Sequence, residues 1–248
     1  MYKKEDLLKQ LAVIGVDPQG ILKVHLSYKE IGDVDGRADT VIAALMEYMK
    51  DGLLVLASHT WGTMRPENPI MDVLYTKSCV GIVTELFRHY PNVHRSLHPT
   101  HAVAVAGIGA AEFVAGDELI NTPAGIGGSY WKLWERDAQI LLIGVNFNRN
   151  TFIHGIEEWD GAIGTIAEKL TDCYVINHDG NRIHAPLHLH TARNGSETFS
   201  KLEPQAAAEG ILTFGKFGDA TTRLMSARKL RTMVAPILAE DPEYLLRY

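Results

Sequence analysis

The 248-residue sequence holds only two cysteines, Cys79 and Cys173, with no CxxC pair and no Cys–His ligand spacing. Two thiols so far apart in sequence are the usage of small buried hydrophobes, not of a disulfide framework or a thiolate metal site. Long apolar runs are missing too. Ile140-Leu-Leu-Ile-Gly-Val145 is among the longest, and it is strand-length, well short of the ~20 residues of a membrane span. The opening stretch Met1–Gln10 is charged and lacks the apolar centre of a secretory signal. No long block of one charge occurs: 24 basic residues stand against 30 acidic ones, a formal net charge of −6. That balance argues against nucleic acid as the main partner and leans weakly toward a cationic one. There is no repeat and no low-complexity linker. What is left is ordinary globular composition, 46% hydrophobic and 22% charged, with the cytoplasm as the default location.

Strand-like and helix-like segments alternate. Leu7, Leu8, Leu11 and Ile14 share one face of an opening helix that Gly15 closes. Gly20–Leu26 and Gly52–Ser58 read as strands, the second apolar throughout, as expected of a strand buried on both faces. Between them Asp39–Met49 is a helix, and Ser78–Tyr90 is another. His101–Ala106 and Ile140–Val145 are further strands, with the turn Thr122–Ser129 and a short helix Tyr130–Trp134 between them. Trp61–Lys77 is a long loop with two prolines, and Thr151–Trp159 is a helix start or tight turn. Asp172–Asn177 and Arg182–His188 form a hairpin across His178-Asp179-Gly180-Asn181, and helices follow near Glu197–Glu209 and Ser226–Ala239. The expected fold is α/β: a single layered domain over residues 1–248, a mixed sheet with helices on both sides.

The densest chemistry is Thr151-x-x-His154-x-x-Glu157. If helical, the spacing of three brings all three side chains to one face. A carboxylate beside an imidazole fixes its tautomer and raises its basicity, and a neighbouring hydroxyl can donate to a developing oxyanion. Spacing alone favours a plain polar stripe, since such a triplet arises easily by chance. Ser27, at a strand exit, could hold phosphate or pantetheine oxygens together with nearby backbone N–H groups. Arg95–His101 crowds an arginine, two histidines and two hydroxyls into one loop. Gly125-Ile-Gly127-Gly128 does not follow a strand, so it is no dinucleotide fingerprint. His184, His188 and His190 alternate on one expected strand face. They could build a metal site, but an exposed polar face is simpler, since no Asp, Glu or Cys sits at fitting spacing.

In order along the chain, these stretches resemble the aminoglycoside 3-N-acetyltransferase family. Val24-His-Leu-Ser-Tyr-Lys-Glu-Ile-Gly32 is similar to its V-H-x-S-L-x-x-I-G, and Arg95-Ser-Leu-His-Pro99 to its R-S-x-H-P. Leu141-Leu-Ile-Gly144 followed by Thr151-x-x-His154-x-x-Glu157 is similar to its L-L-G…T-x-x-H-x-x-E. The resemblance implies acetyl-coenzyme A as donor and a primary amine as acceptor, best taken as the 3-amino group of an aminoglycoside antibiotic. It implies His154 as general base, Glu157 as its orienting partner and Thr151 at the thioester carbonyl. Leu26, Ser27, Tyr28 and Lys29, with Ser96 and His98, would line the coenzyme channel, and no residue is assigned to a metal.

The chain departs from the family pattern in places. Leu26 stands where a serine, and Tyr28 where a leucine, is usual, and Ala102 replaces a frequent serine. The segment His188–Gly195, often acidic in resistance enzymes, here carries histidines and Arg193, which do not attract a polycation. Two rival readings are a metallohydrolase on His184, His188 and His190, and a coenzyme A-binding protein without aminoglycoside turnover.

Overall fold

The computed structural model describes residues 1–64, 67–191 and 195–247. The strands are β1 (Ile21–Leu26), β2 (Leu53–Ala57), β3 (Ile70–Asp72), β4 (His94–Arg95), β5 (Val103–Gly107), β6 (Gln139–Ile143), β7 (Ile166–Thr171), β8 (Tyr174–Ile176), β9 (Arg182–His184), β10 (Leu187–His190), β11 (Thr213–Phe217) and β12 (Ala220–Ser226). The α-helices are α1 (Lys4–Ile14), α2 (Arg37–Tyr48), α3 (Ile82–Phe87), α4 (Ala110–Val114), α5 (Ser129–Glu135), α6 (Phe152–Trp159), α7 (Glu203–Ala208) and α8 (Ala227–Glu240). Among the described residues, no helix is long and apolar enough to cross a membrane.

The central sheet has the order β11-β12-β6-β1-β2-β5-β4. β6, β1 and β2 run parallel, and the strands outside them pair antiparallel. Side chains alternate across each strand. Leu22 and Val24 of β1, with Leu54 and Leu56 of β2, meet Leu7 and Leu11 of α1, Val41 and Leu45 of α2 and Phe87 of α3. On the other face, Val55, Ile140 and Leu142 pack with Leu133 of α5, Phe152 and Ile156 of α6 and Leu230 and Val234 of α8. Helices cover both faces, which is why the inner strands read as unbroken apolar runs. The mixed, two-sided α/β layering is the one expected.

Several boundaries differ from the expectation. Ser78–Tyr90 is helical only over α3, because Gly81 sits at φ +118° and ends the loop before it. The span near Glu197–Glu209 divides into a 3-10 stretch, Ser196–Leu202, and α7, because Pro204 lacks an N–H and is tolerated only in a helix's first turn. The β8–β9 hairpin is present, with Tyr174 opposite His184. The chain leaves it at Ala185-Pro186, however, and Leu187–His190 pairs with β7 instead. His184, on β9, and His188 and His190, on β10, therefore belong to different sheets, which removes the shared face a metallohydrolase needs. The β11–β12 hairpin, turning at Gly218 with φ +58°, has no counterpart in the sequence reading.

Candidate active site

The parallel strands β1, β2 and β6 all run toward the same edge of the sheet. Beyond their carboxyl ends opens a cleft of about 1090 Å³, lined among others by Leu26, Ala57, His59, Val145, Thr151 and His154. Such edges are where open α/β sheets place their ligands, since the chain leaves each strand there by a loop.

Helix α6 carries the central residues. It forms because Phe152, Ile153 and Ile156 are wholly buried in the sheet-facing core, with Thr151 at its N-cap. Its far end is clamped. Trp159 Nε1–H donates to the Ala124 carbonyl at 2.7 Å. The Arg231 guanidinium, held by both Asp160 oxygens at 2.8 Å, lies 4.2 Å from the Trp134 ring centre and 5.5 Å from that of Trp159. The indole folds back over Gly155 so closely that a Cβ there would stand 2.6 Å from it. Gly155→Ala is therefore expected to displace Trp159 and destabilise the protein by about 1–3 kcal/mol, an overpacking cost. Urea denaturation checks this: an unchanged midpoint would show that the indole moves freely.

One turn into α6, His154 Nδ1 lies 2.8 Å from Glu157 Oε2. Glu157 is 1% exposed and His154 8%. Burial pulls the imidazole well below its usual range, to about 4, and pushes the carboxyl up to about 8. The two share their protons as a unit. Once that unit holds a single proton, on the Nδ1–Oε2 axis, Nε2 is left as a free base. Raising the pH through the neutral range populates this form.

Imidazoles crowd around this pair. The His190 ring centre lies 4.5 Å from that of His154 and 5.0 Å from that of His101, and His101 lies 4.9 Å from His59. His59 Nε2 meets the Tyr130 hydroxyl at 2.7 Å. Burial lowers the pKa of each of these histidines, so the cluster is neutral at pH 7. Beneath Tyr130 sits Lys23, wholly buried, its Nζ without a hydrogen-bond partner and 5.4 Å from the ring centre. Among the described residues no group of three or more His, Cys, Asp or Glu side chains is arranged to hold a metal ion.

Of the residues singled out in the sequence, Thr151, His154, Leu26, Ser27, Tyr28 and Lys29 line the cleft. Glu157 lies just behind His154. Ser27 continues the sheet, its N–H donating to the Ile143 carbonyl at 2.9 Å, before Tyr28–Ile31 turns as a 3-10 helix. Ser96 and His98 are placed elsewhere. Both are buried behind the wall, where Ser96 Oγ accepts the Val103 N–H and His98 Nδ1 accepts the N–H groups of Thr100 and His101. They shape the loop that delivers Thr100 and His101 to the cleft without lining it.

His59, His101, Arg149, Lys169 and Glu197 also line the cleft. For His101 the crowded loop at Arg95–His101 was a usable signal. For Arg149, Lys169 and Glu197 none existed, because they come from separate loops and an edge strand. Lys29, Arg149 and Lys169 stand exposed against Glu197, the one carboxylate of the lining among the described residues. Arg193 lies outside the described residues.

The family model for aminoglycoside 3-N-acetyltransferases matches residues 24–239. The chain belongs to this family. Aminoglycoside N(3)-acetyltransferase IV of a Salmonella species is 32% identical over 242 residues, covering 97% of this chain and 89% of that protein. The aminoglycoside N(3')-acetyltransferase-like protein YokD of Bacillus subtilis is 26% identical over 90% of this chain and 87% of its own length. Among solved structures, the aminoglycoside acetyltransferase AAC(3)-IVa apoenzyme superposes with a TM-score of 0.84 at 26% identity, covering 100% of this chain and 92% of that one. The same neighbour is also known as a histidine-to-alanine mutant in complex with a gentamicin. AAC-IIIb, solved with coenzyme A, shares the fold with a TM-score of 0.84 at 20% identity, over 96% of this chain and 97% of that one. Of the motif Thr151-x-x-His154-x-x-Glu157, Thr151 and His154 line the cleft and Glu157 lies behind His154.

Proposed function

We propose that the chain transfers acetyl from acetyl-coenzyme A to a primary amine, with the 3-amino group of an aminoglycoside as the acceptor. The observation that carries this reading is a neutral imidazole, His154, held through Nδ1 by a buried carboxylate on the wall of a cleft large enough for both substrates. Membership of the family, and the coenzyme A and gentamicin seen with its structural neighbours, support the choice of donor and acceptor.

The donor fits the residues present. Lys29, Arg149 and Lys169 offer cations for phosphates at the exposed rim. Val80, Ile82 and Leu189 offer apolar surface for a pantetheine arm, and Leu26, Ser27 and Tyr28 offer a strand exit beside it. Ser96 and His98 support this channel indirectly, through the loop they brace. Glu197 offers a counter-charge for an acceptor ammonium. A reaction that draws on acetyl-coenzyme A needs a compartment supplied with that thioester, which supports the cytoplasm as the location.

In the transfer, His154 Nε2 takes the amine proton as nitrogen attacks the thioester carbonyl, and Glu157 stabilises the imidazolium that forms. The Thr151 hydroxyl, on the same wall, donates to the oxyanion. Thr151→Ala is expected to lower kcat about 10²-fold with little change in KM, as loss of a transition-state contact does. Steady-state kinetics check this, and an equal fall in affinity would assign Thr151 to ground-state binding. The function itself is tested by thiol release from acetyl-coenzyme A with a panel of aminoglycosides and simple amines. Release that depends on an aminoglycoside supports the reading. Coenzyme A binding with no release for any amine would leave a binding protein.

A further inference from the structure

The consecutive residues Glu157 and Glu158 of α6 each face a different histidine of the same cleft. Glu157 holds His154. Glu158 Oε1 lies 3.7 Å from His190 Nε2, with the glutamate side chain 6% and the histidine side chain 16% exposed. The Glu158 carboxylate is fixed in turn by the Ala124 N–H at 2.9 Å. His190 Nε2 is buried and has no hydrogen-bond partner. It is thus a buried ring nitrogen aimed at a carboxylate but not closed onto it. The two imidazoles, 4.5 Å apart between ring centres, both line the cleft. The backbone aims the second of them: the β7–β10 register shifts between His188 and His190, and a bulge re-aims the side chain that follows it. His188 turns its Nδ1 to the Ala167 carbonyl at 3.0 Å, while His190 enters the cleft.

A primary amine arrives at neutral pH as an ammonium ion, and it must lose one proton before it can attack and a second as the amide forms. One base cannot hold both protons. We propose that His190, backed by Glu158, is the second catalytic base: it takes the first proton from the bound ammonium, and His154 takes the second. This rests on the reading of the cleft as an acetyl-coenzyme A–amine transferase. His190 keeps Nε2–H toward Glu158 and accepts the ammonium proton at Nδ1. The freed nitrogen lone pair forms the C–N bond, the C–S bond breaks, and the electron pair leaves on sulfur. The proton that His154 has taken from nitrogen passes to the thiolate, and the His190 proton goes to solvent through the cleft mouth. The sum is ammonium plus thioester giving amide, thiol and one released proton.

The groups facing His190 set its balance. His154 on α6, and His98 and His101 on the loop before β5, oppose a charge on it, while Glu157 and Glu158 favour one. Burial is the largest of these effects and keeps His190 a neutral base at rest, with Glu158 and Glu157 opposing it.

The test is kcat/KM for wild type, His190→Gln and Glu158→Gln between pH 6 and 9.5, with amine acceptors spanning weakly to strongly basic. Coenzyme A titrations of each variant control for folding. For His190→Gln with a strongly basic acceptor, the expected loss is about 10²-fold near pH 6.5. That loss shrinks to a few-fold above pH 9, and equally with a weakly basic acceptor that enters already neutral. Glu158→Gln should show the same pattern at smaller amplitude. A loss independent of pH and of acceptor basicity, or no loss at all, overturns the proposal while leaving the transferase intact. Wild type that releases no thiol with any amine removes the transferase reading itself, and the second base with it.

Discussion

Replacing His154 by alanine is expected to lower kcat/KM for acetyl transfer by about 10³-fold or more, in the upper range for loss of a general base. His59 is engaged at Nε2 by Tyr130, and His190 is taken up with the first proton of the ammonium, so the second proton loses its acceptor. Alanine also strips the buried Glu157 of its hydrogen-bond partner, since Oε1 already has none. His154→Gln is therefore the better-matched variant, because its amide can donate to Glu157 while offering no base. Both variants should bind coenzyme A as wild type does, since the channel residues at the strand exit are untouched. Glu157→Gln should cost less, about 10²-fold, by loosening the tautomer that leaves Nε2 free. The pH dependence follows from the pair. Glu157 is pushed up to about 8 and His154 down to about 4, so the form with one shared proton grows as pH rises through neutrality. Activity should climb with pH on the acidic side, and the Glu157→Gln profile should lose that climb.

The second large effect concerns stability and has the opposite sign. Lys23→Met is expected to stabilise the protein. Lys23 is wholly buried on β1 with Nζ unpaired, in a position that its strand neighbours Leu22 and Val24 mark as interior. Burial drops its pKa from 10.5 to about 7. Between these two values the unfolded chain carries a proton that the folded chain does not, so stability rises with pH across this window. The penalty is complete below pH 7 and vanishes near pH 10.5. At about 1.4 kcal/mol per pH unit, the full deficit is on the order of 5 kcal/mol. Methionine matches the stem without the ammonium, so the Tm of Lys23→Met should exceed that of wild type by roughly 10 °C at pH 7 for a chain of this size. The gap should close toward pH 10. Calorimetry at several pH values checks both. A gap that does not depend on pH would mean that packing, not charge, separates the two proteins.

The layered fold was legible because Leu53–Ala57 and Ile140–Ile143 are apolar at every position, which only two covered faces explain. His154 and Glu157 were legible because a helix converts a spacing of three into contact. The motif could not show its own depth in the protein, and depth is what shifts both pKa values. The reach of the cleft was not legible, because Arg149, Lys169, His190 and Glu197 arrive from elements far apart in the chain. Ser96 and His98 were assigned to the channel by the family resemblance of the loop Arg95-Ser-Leu-His-Pro99, which says nothing of where their side chains point. They turn out to brace that loop, since their hydrogen bonds end on backbone groups of Thr100, His101, Thr122 and Val103. The three alternating histidines were misread for a local reason: Pro186 sits between His184 and Leu187, where the chain passes from one sheet to another. A strand pattern interrupted by proline is two strands.

The central claim is that His154 acts on the amine and not on the thioester's binding. It is tested most directly by measuring coenzyme A affinity and single-turnover amide formation side by side in wild type and His154→Gln, with an aminoglycoside as acceptor. The account predicts affinities equal within about threefold and an N-acetylated product at a rate at least about 10³-fold lower in the variant. Amide formation at the wild-type rate in His154→Gln would contradict it.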